Sequence, residues 1–558
     1  MIAKGLQLSL FCVCCCLFAA CKGQSHSTTQ SIEKLIAGVV DKVMASSVYI
    51  IEWDTLNNQV QKGVDEANGF TGVVVSAEGH ILTVSHAAMP RQIYRVSFPD
   101  GSKHIAMGLG RIGLQDKGKD YDMAMIKILK PAKWAFSKMA PSTELKINQP
   151  VVSISYPGAF FKQKPNVRFG RISDVDLSDG FIESSAKMEP GDSGGPLFDA
   201  LGRVVGIHSW IKEKEEQNFD VPADHFLKYW TALNVAKDYT SFPAADVLPA
   251  RVSSVQLQTV PALEQVVNIP LQNRKSAVML TSLFGAKRVS ISGTLINFKG
   301  DKYIVSKSSM VGSSPMIKSG AHMFTAKLLK RDREHDLVLL RTDGKMRMGI
   351  NLSTDPQYRV LKQSDLGKIL VSSLGNDATK VGVLSATYFD VPLSDSYGYL
   401  GASAVYQNGK ITITGIDKSG PAASSLKLKD QVVKINGTAV STAADYNQEF
   451  AKYLAGDSIS IDILREGKHM QLSFYLQGQP TPHHASFEYS GGRSGRSDGF
   501  KNVLVHDAAI KAAECGSLVF DSEGTFYGVN IARRSRTSTL LLPAVTIFEF
   551  IKKSIDKR

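Results

Sequence analysis

Distant parts of this 558-residue chain carry the same β-rich blocks in the same order. In one, Gly72-Val73-Val74-Val75 leads into Thr83-Val84-Ser85-His86-Ala87-Ala88-Met89. In the other, Gly293-Thr294-Leu295-Ile296 leads into Ile304-Val305-Ser306-Lys307-Ser308-Ser309-Met310. Aligned without a gap from Gly72/Gly293 to Met89/Met310, Lys307 stands opposite His86. The match continues from Asp122-Met123-Ala124-Met125-Ile126 to Asp336-Leu337-Val338-Leu339-Leu340, and from Phe169-Gly170-Arg171-Ile172-Ser173 to Val381-Gly382-Val383-Leu384-Ser385. It ends with Gly191-Asp192-Ser193-Gly194-Gly195-Pro196-Leu197-Phe198-Asp199 against Ala513-Glu514-Cys515-Gly516-Ser517-Leu518-Val519-Phe520-Asp521. One core written twice has to fold twice, and the differences between the copies show which chemistry each retains.

Three or more domains are expected at this length, because a single core stops growing well before it. A hydrophobic content of 43% and a charged content of 21% are those of an ordinary globular protein. The formal charge of +13 is spread along the chain without a compact basic run interleaved with aromatics, so nucleic-acid binding is not expected. Five of the six cysteines (Cys12, Cys14, Cys15, Cys16 and Cys21) precede residue 22, and Cys515 stands alone near the end. Disulfides therefore do not hold the fold. Lys4 and the apolar run Leu10 to Ala20 have the shape of a secretory signal. The end of that run, Leu17-Phe18-Ala19-Ala20-Cys21, resembles a bacterial lipobox, which implies lipidation at Cys21; ordinary cleavage after Ala20 is the other reading. An exported envelope protein is expected, periplasm-facing or on the surface, with its membrane anchor at Cys21.

Ile32 to Val43 has helical periodicity. From Ser47 to about Thr240, short alternating strands are broken by Gly, Asp, Asn and Pro, a pattern of all-β barrels or sandwiches. The expected division is residues 1–21 as signal, 22–31 as linker, 32–240 as the first core and 241–263 as linker. The second core follows as 264–390 and 501–558, interrupted by a module at 391–480 and a Gly/Ser-rich linker at 481–500, read as flexible.

His86, Asp122 and Ser193 occur in the order and contexts of a trypsin-like triad. A serine hydroxyl becomes a strong nucleophile when a base takes its proton, and a buried carboxylate fixes that base. On this reading His86 is the base, Asp122 its orienting carboxylate and Ser193 the nucleophile. Gly191 frees the backbone to aim its own N–H and that of Ser193 at an oxyanion. Asp120 competes for the carboxylate role, but Asp122 directly precedes the apolar strand and aligns with Asp336. With Val39-Val40-Asp41-Lys42-Val43 and Phe219-Asp220-Val221-Pro222, residues 32–240 resemble HtrA-type bacterial serine proteases. The chain departs from that family in having Asp192 where Asn is common. In chymotrypsin-like zymogens such an aspartate pairs with a new N-terminus, yet no Ile-Val-Gly-Gly activation site is present. The resemblance implies that His208-Ser209-Trp210-Ile211 pairs with extended substrate. It also places Lys187 in the primary specificity pocket, either selecting acidic residues or snorkelling to solvent.

The second copy has Lys307, Asp336 and Cys515 at the triad positions and Ala513 for the oxyanion glycine, and is read as a pseudoprotease. Arg533, Arg534 and Arg536 follow its substrate-pairing strand, as a solvated loop or an anion-accepting groove. Gly398-Tyr399-Leu400-Gly401, with Ser419-Gly420-Pro421-Ala422 and Ile435-Asn436-Gly437, resembles a bacterial PDZ domain, which implies a peptide-carboxylate loop at Leu400, Gly401 and Ala402. The expected fold class is mainly β: two tandem trypsin-like double β-barrels, the second interrupted by a PDZ-like α+β module. The expected function is an exported serine endopeptidase for unfolded or damaged envelope proteins, with a peptide-binding or regulatory second half. The alternative is a non-catalytic chaperone or adaptor. No cofactor is expected, and His483 and His484 lack further ligands for a metal site. Partners are extended proteins, C-terminal peptides at the PDZ-like module, the membrane through the lipid, and other copies of the chain.

Overall fold

The computed structural model describes residues 28–556 apart from 66–67, 159–163, 176, 248–257, 268–270, 320–321, 345, 347–348 and 357–359. The signal segment, Cys21 and part of the 241–263 linker thus lie outside the described residues.

In the first core, six strands close a barrel: Ser47–Asp54, Phe70–Val74, His80–Thr83, Ile93–Ser97, Lys103–Asp116 and Lys119–Ile128. Val48, Ile50, Ile81, Val96 and Ile126 share one core inside it, while the alternate residues Tyr49, Ile51 and Trp53 pack on the opposite face with Tyr156. A second closed barrel contains Pro150–Ser155, Asn166–Asp174, Ile182–Ser184, Pro196–Asp199, Val204–Ile211 and Asn218–Pro222. The groove between the two barrels carries the residues singled out in the first copy.

The second core repeats this plan. Its first barrel uses Ala277–Phe284, Lys287–Phe298, Asp301–Lys307, Ser313–Ser319 and Leu337–Arg341. It closes through a strand broken at Ala326 into His322–Thr325 and Lys327–Asp332, each half pairing a different neighbour. The second barrel is closed by Ile369–Ser373, Thr379–Val391, Phe500–His506, Leu518–Asp521, Phe526–Arg533 and Thr539–Pro543. The inserted module leaves and re-enters between Thr379–Val391 and Phe500–His506, which pair with each other. Its own sheet spans Ala402–Gln407 to Lys468–Tyr475, with the helix Ala443–Phe450 capped by Thr442. An insertion between two paired strand ends preserves the barrel and costs little closure entropy.

The helix at 28–43 buries Ile32, Ile36, Val39, Val40 and Val43, spaced to form one apolar stripe. Each such side chain contributes about 1.5–3 kcal/mol on burial. The helix joins the cores: Lys42 Nζ donates to the Leu201 carbonyl, while Glu33 accepts from the Ile369 N–H at 2.9 Å and from Ser522. One apolar cluster runs continuously from Val152 and Ile207 of the first core to Val371, Val383 and Leu504 of the second.

Candidate active site

His86 follows the strand His80–Thr83 at the groove rim, and Asp122 lies within Lys119–Ile128 beneath it. Its Nε2 is 3.1 Å from Ser193 Oγ, and its Nδ1 is 2.8 Å from Asp122 Oδ2. Asp122 also accepts from Ser85 Oγ (2.6 Å), Ser209 Oγ (2.6 Å) and the His86 N–H (3.1 Å). Burial alone would raise its pKa, but the hydrogen bonds from His86, Ser209 and Ser85 outweigh it and hold the carboxyl down at about 2. Asp120 instead meets the Gln115 amide, so the choice of Asp122 over Asp120 agrees with the geometry.

The turn before Ser193 needs its glycines. Gly191 has φ +97°, and a Cβ there would lie 2.5 Å from the Gly158 nitrogen; at Gly194 it would lie 2.0 Å from Thr83 Oγ1. Neighbouring backbone groups are tied off: Thr71 Oγ1 donates to the Gly191 carbonyl, Gly158 N–H to that of Pro190, and Asp192 N–H to that of Glu189. Asp192 is fully buried and paired with Arg168, with Nη1 to Oδ2 at 2.5 Å; Oδ2 also accepts the Glu189 N–H at 2.7 Å. The buried partner of Asp192 is thus an internal guanidinium. The sequence reading found Asp192 but missed this partner, although Arg168 directly precedes one of the matched blocks.

The strand Val204–Ile211 pairs with Asn218–Pro222 along one edge through Ile211, and Trp210 stacks on Phe219 at 4.2 Å. Ser209 reaches Asp122, but the His208 side chain turns away from the groove and is fully buried. Its Nε2 is 2.5 Å from Ser153 Oγ and its Nδ1 2.5 Å from Asp220 Oδ1. This second Ser-His-Asp arrangement has no access to substrate, so its ring serves the packing behind Gly195. Lys187 corrects the snorkelling expectation: its amine donates to the Asp507 carbonyl of the second core at 2.7 Å rather than to solvent, and burial lowers its pKa.

The second core revises the gap-free alignment. Gly72 and Gly293 correspond, but the first hairpin pairs Val73 with Leu82 while the second pairs Thr294 with Val305. The second hairpin is two residues longer, so Ser306 matches Thr83 and Ser309, not Lys307, matches His86. Accordingly the Ser309 N–H donates to Asp336 at 2.7 Å, as His86 N–H does to Asp122. Lys307 enters from Val84's place: its amine is 2.7 Å from Asp336 Oδ2 and donates to the Arg496 and Ile531 carbonyls at 2.8 Å. Cys515 does match Ser193, since Gly516 N–H meets the Asn530 carbonyl as Gly194 N–H meets that of His208. It is fully buried, and burial pushes its thiol pKa up.

The returning segment at 494–498 is not a flexible linker. Ser494, Arg496, Ser497 and Asp498 are buried. Ser494 N–H donates to the Arg533 carbonyl at 2.9 Å, and its hydroxyl accepts the Arg533 N–H at 3.0 Å, so the chain's own residues fill the second core's substrate-type groove. Nor do the arginines form a solvated loop or an anion-accepting groove. Arg533 pairs with Glu215 at 2.8 Å, Arg534 with Asp395 and Asp498 at 3.0 Å, and Arg536 binds backbone carbonyls of the first core.

In the inserted module Leu400 is buried, Gly401 takes φ +77° against Gly420, and Ala402 opens the edge strand Ala402–Gln407. That edge exposes Val405 and Tyr406. Among the described residues, no group of three His, Cys, Asp or Glu side chains is placed to hold a metal ion, and no helix is long and apolar enough to cross a membrane.

Residues 70–207 match the trypsin-like peptidase domain family and residues 398–476 the PDZ domain family. A probable periplasmic serine endoprotease DegP-like of Pseudomonas fluorescens is 25% identical over 417 residues, covering 73% of this chain and 79% of that protein. Serine protease HTRA1 of Xenopus laevis is 31% identical over 205 residues, covering 35% of this chain and 42% of its own length. The solved HtrA-type protease AlgW with tripeptide aligns at 16% identity with a TM-score of 0.29, over 80% of this chain and 98% of that one.

Proposed function

We propose that the chain is an HtrA-type serine protease with a PDZ domain, and that it cuts extended segments of unfolded or damaged envelope proteins at Ser193. The observation that carries this reading is the unbroken relay from Ser193 Oγ through His86 to Asp122, at 3.1 and 2.8 Å. His86 takes the hydroxyl proton as Ser193 Oγ attacks the scissile carbonyl, and returns it to the leaving amine. Asp122 remains ionised throughout and fixes the imidazole by accepting from Nδ1. The N–H groups of Gly191 and Ser193 receive the developing oxyanion; neither is spent on an acceptor among the described residues. Arg168, by anchoring Asp192, holds that turn without a proteolytic activation step.

The substrate backbone pairs with the free edge of the 209–211 strand segment, which selects extended over folded polypeptide. The envelope location agrees with the periplasmic relatives, and Cys21 is the proposed lipid anchor. The second core is a pseudoprotease: Ser309 replaces the base, Cys515 is buried, and residues 494–498 fill the groove. The PDZ domain takes C-terminal peptides as an added strand on Ala402–Gln407, their carboxylate at the loop Leu400 to Ala402.

The test is degradation of a reduced, unfolded protein by the full-length chain, with and without added C-terminal peptide. Wild type and Cys515→Ala are expected to degrade it and Ser193→Ala to lose at least about a thousandfold of the rate. Free-carboxylate peptides bind and their amidated forms do not. Degradation that survives Ser193→Ala, or a wild type inert under every condition, would overturn the catalytic reading; equal binding of amidated peptides would overturn the carboxylate loop.

A further inference from the structure

The two cores meet through corresponding turns that have diverged to opposite charge. The first core's turn contains Glu213, Glu215 and Glu216, with Lys212 before and Lys214 between them, a net negative charge; the second core's contains Arg533, Arg534 and Arg536. Arg533 and Arg536 are fully buried between the cores. Arg533 Nη2 is 2.8 Å from Glu215 Oε2, and Arg536 donates to the Glu213 and Lys214 carbonyls at 3.2 and 2.5 Å. Beside them the Thr537 N–H reaches Glu189 Oε2 at 3.3 Å, and the Asp507 carbonyl takes the Lys187 amine.

These are the two segments that flank the proposed nucleophile. From Glu215 a line of hydrogen bonds and one peptide link leads to the residue before it. The Glu215 carbonyl accepts from Asn218 Nδ2 (2.9 Å), and Asn218 Oδ1 accepts the Met188 N–H (2.9 Å). The adjacent Glu189 carbonyl accepts the Asp192 N–H at 3.0 Å, one residue before Ser193. Arg168 fixes that turn from inside the barrel, while the second core holds it from outside.

We propose that the turn at 533–537 is a positioning element for Ser193: the second core acts as a built-in partner that holds the first core's pocket walls in their reactive arrangement. Arg533 and Arg536 touch neither substrate nor reacting atoms and act through Glu215 and the 213–214 backbone. Displacement of a reacting group by about 1 Å costs on the order of a hundredfold in rate. The degenerate copy thereby has a use that needs no chemistry at Cys515. This inference rests on Ser193 being the nucleophile.

The test measures the rate at which a fluorophosphonate labels Ser193 in the full-length chain, per folded molecule, with folding checked by circular dichroism and a cooperative melt. Arg536→Met is expected to slow labelling at least about tenfold, and Arg536→Lys, which restores a donor, to recover part of the loss. Glu215→Gln keeps the shape of the side chain and removes its charge; a slowing of about threefold or more is expected, and this variant decides the matter if Arg536→Met does not fold. Arg465→Met, which cuts the ion pair to Asp430 inside the PDZ domain, leaves the rate per folded molecule unchanged. Wild-type rates in folded Glu215→Gln and Arg536→Met would overturn the positioning role while leaving Ser193 as nucleophile. Absence of labelling in folded wild type would overturn the catalytic reading and the positioning role together.

Discussion

Around Ser193 and around Cys515 the same backbone is drawn twice and filled differently. Each core places an aspartate beneath the repeated hairpin, Asp122 partly buried and Asp336 fully, and each accepts a backbone N–H from the residue opposite it. In the first core that residue is a histidine whose ring links the aspartate to a serine; in the second it is Ser309, whose hydroxyl stops at the aspartate. The vacated electrostatic place goes to Lys307, and the groove goes to residues 494–498. Even the ion pair behind the proposed nucleophile is repeated, Arg168 to Asp192 in one core and Lys380 to Glu514 in the other. A fold of this kind therefore keeps its frame when a group is replaced by one that satisfies the same partner.

The two ion pairs give the largest expected contrast. Arg168 and Asp192 are wholly buried, whereas Lys380 and Glu514 keep 26% and 18% of their side-chain exposure. Arg168→Met strands a buried carboxylate and is expected to cost about 3–5 kcal/mol, with most of the proteolytic rate. Lys380→Met is expected to cost no more than about 1 kcal/mol and to leave proteolysis intact. Denaturant midpoints and peptide hydrolysis check both, and equal losses in the two variants would erase the distinction between the cores.

A smaller effect concerns acid. Burial pushes His225 of the first core and His506 of the second down to about 4. Burial holds His506 neutral, and accepting the Ala508 N–H on Nδ1 requires the neutral ring, although the Asn530 Oδ1 contact at 2.7 Å by itself favours the charged form. An unfolded histidine titrates near 6.5, so between roughly pH 6.5 and 4 the unfolded chain binds more protons than the folded one. The stability contributed by these neutral rings is complete above about pH 6.5 and is lost as pH falls toward 4. His506→Gln is expected to flatten the decline of melting temperature in that window. An unchanged slope would assign the acid sensitivity to other groups.

Much of this was legible in the sequence because its signals were local. Gly191 and Gly194 announce a turn that only glycine fills, and His86, Asp122 and Ser193 each sit in a distinctive β context. The repeat also revealed where the inserted domain interrupts the second core. The register of Lys307 was not legible, for a physical reason: a hairpin longer by two residues preserves the alternation of inward and outward side chains, so the apolar pattern remains the same on either alignment. The burial of Arg533 and Arg536 was equally hidden, since a basic turn reads as solvated until the acidic turn that covers it is brought alongside. Gly491 to Gly499 looked like a flexible linker by composition, yet Ser494 and Asp498 find buried partners that composition does not record.

The division between a reactive core and a holding core is tested most directly by mapping covalent adducts on the native full-length chain. Treatment with a fluorophosphonate and then iodoacetamide, followed by peptide mass spectrometry, is expected to place the phosphonate on Ser193 alone. Cys515, buried and with its thiol pKa raised, is expected to stay unmodified until the chain is denatured. A native chain that carries an adduct at Cys515, or none at Ser193, would contradict the account.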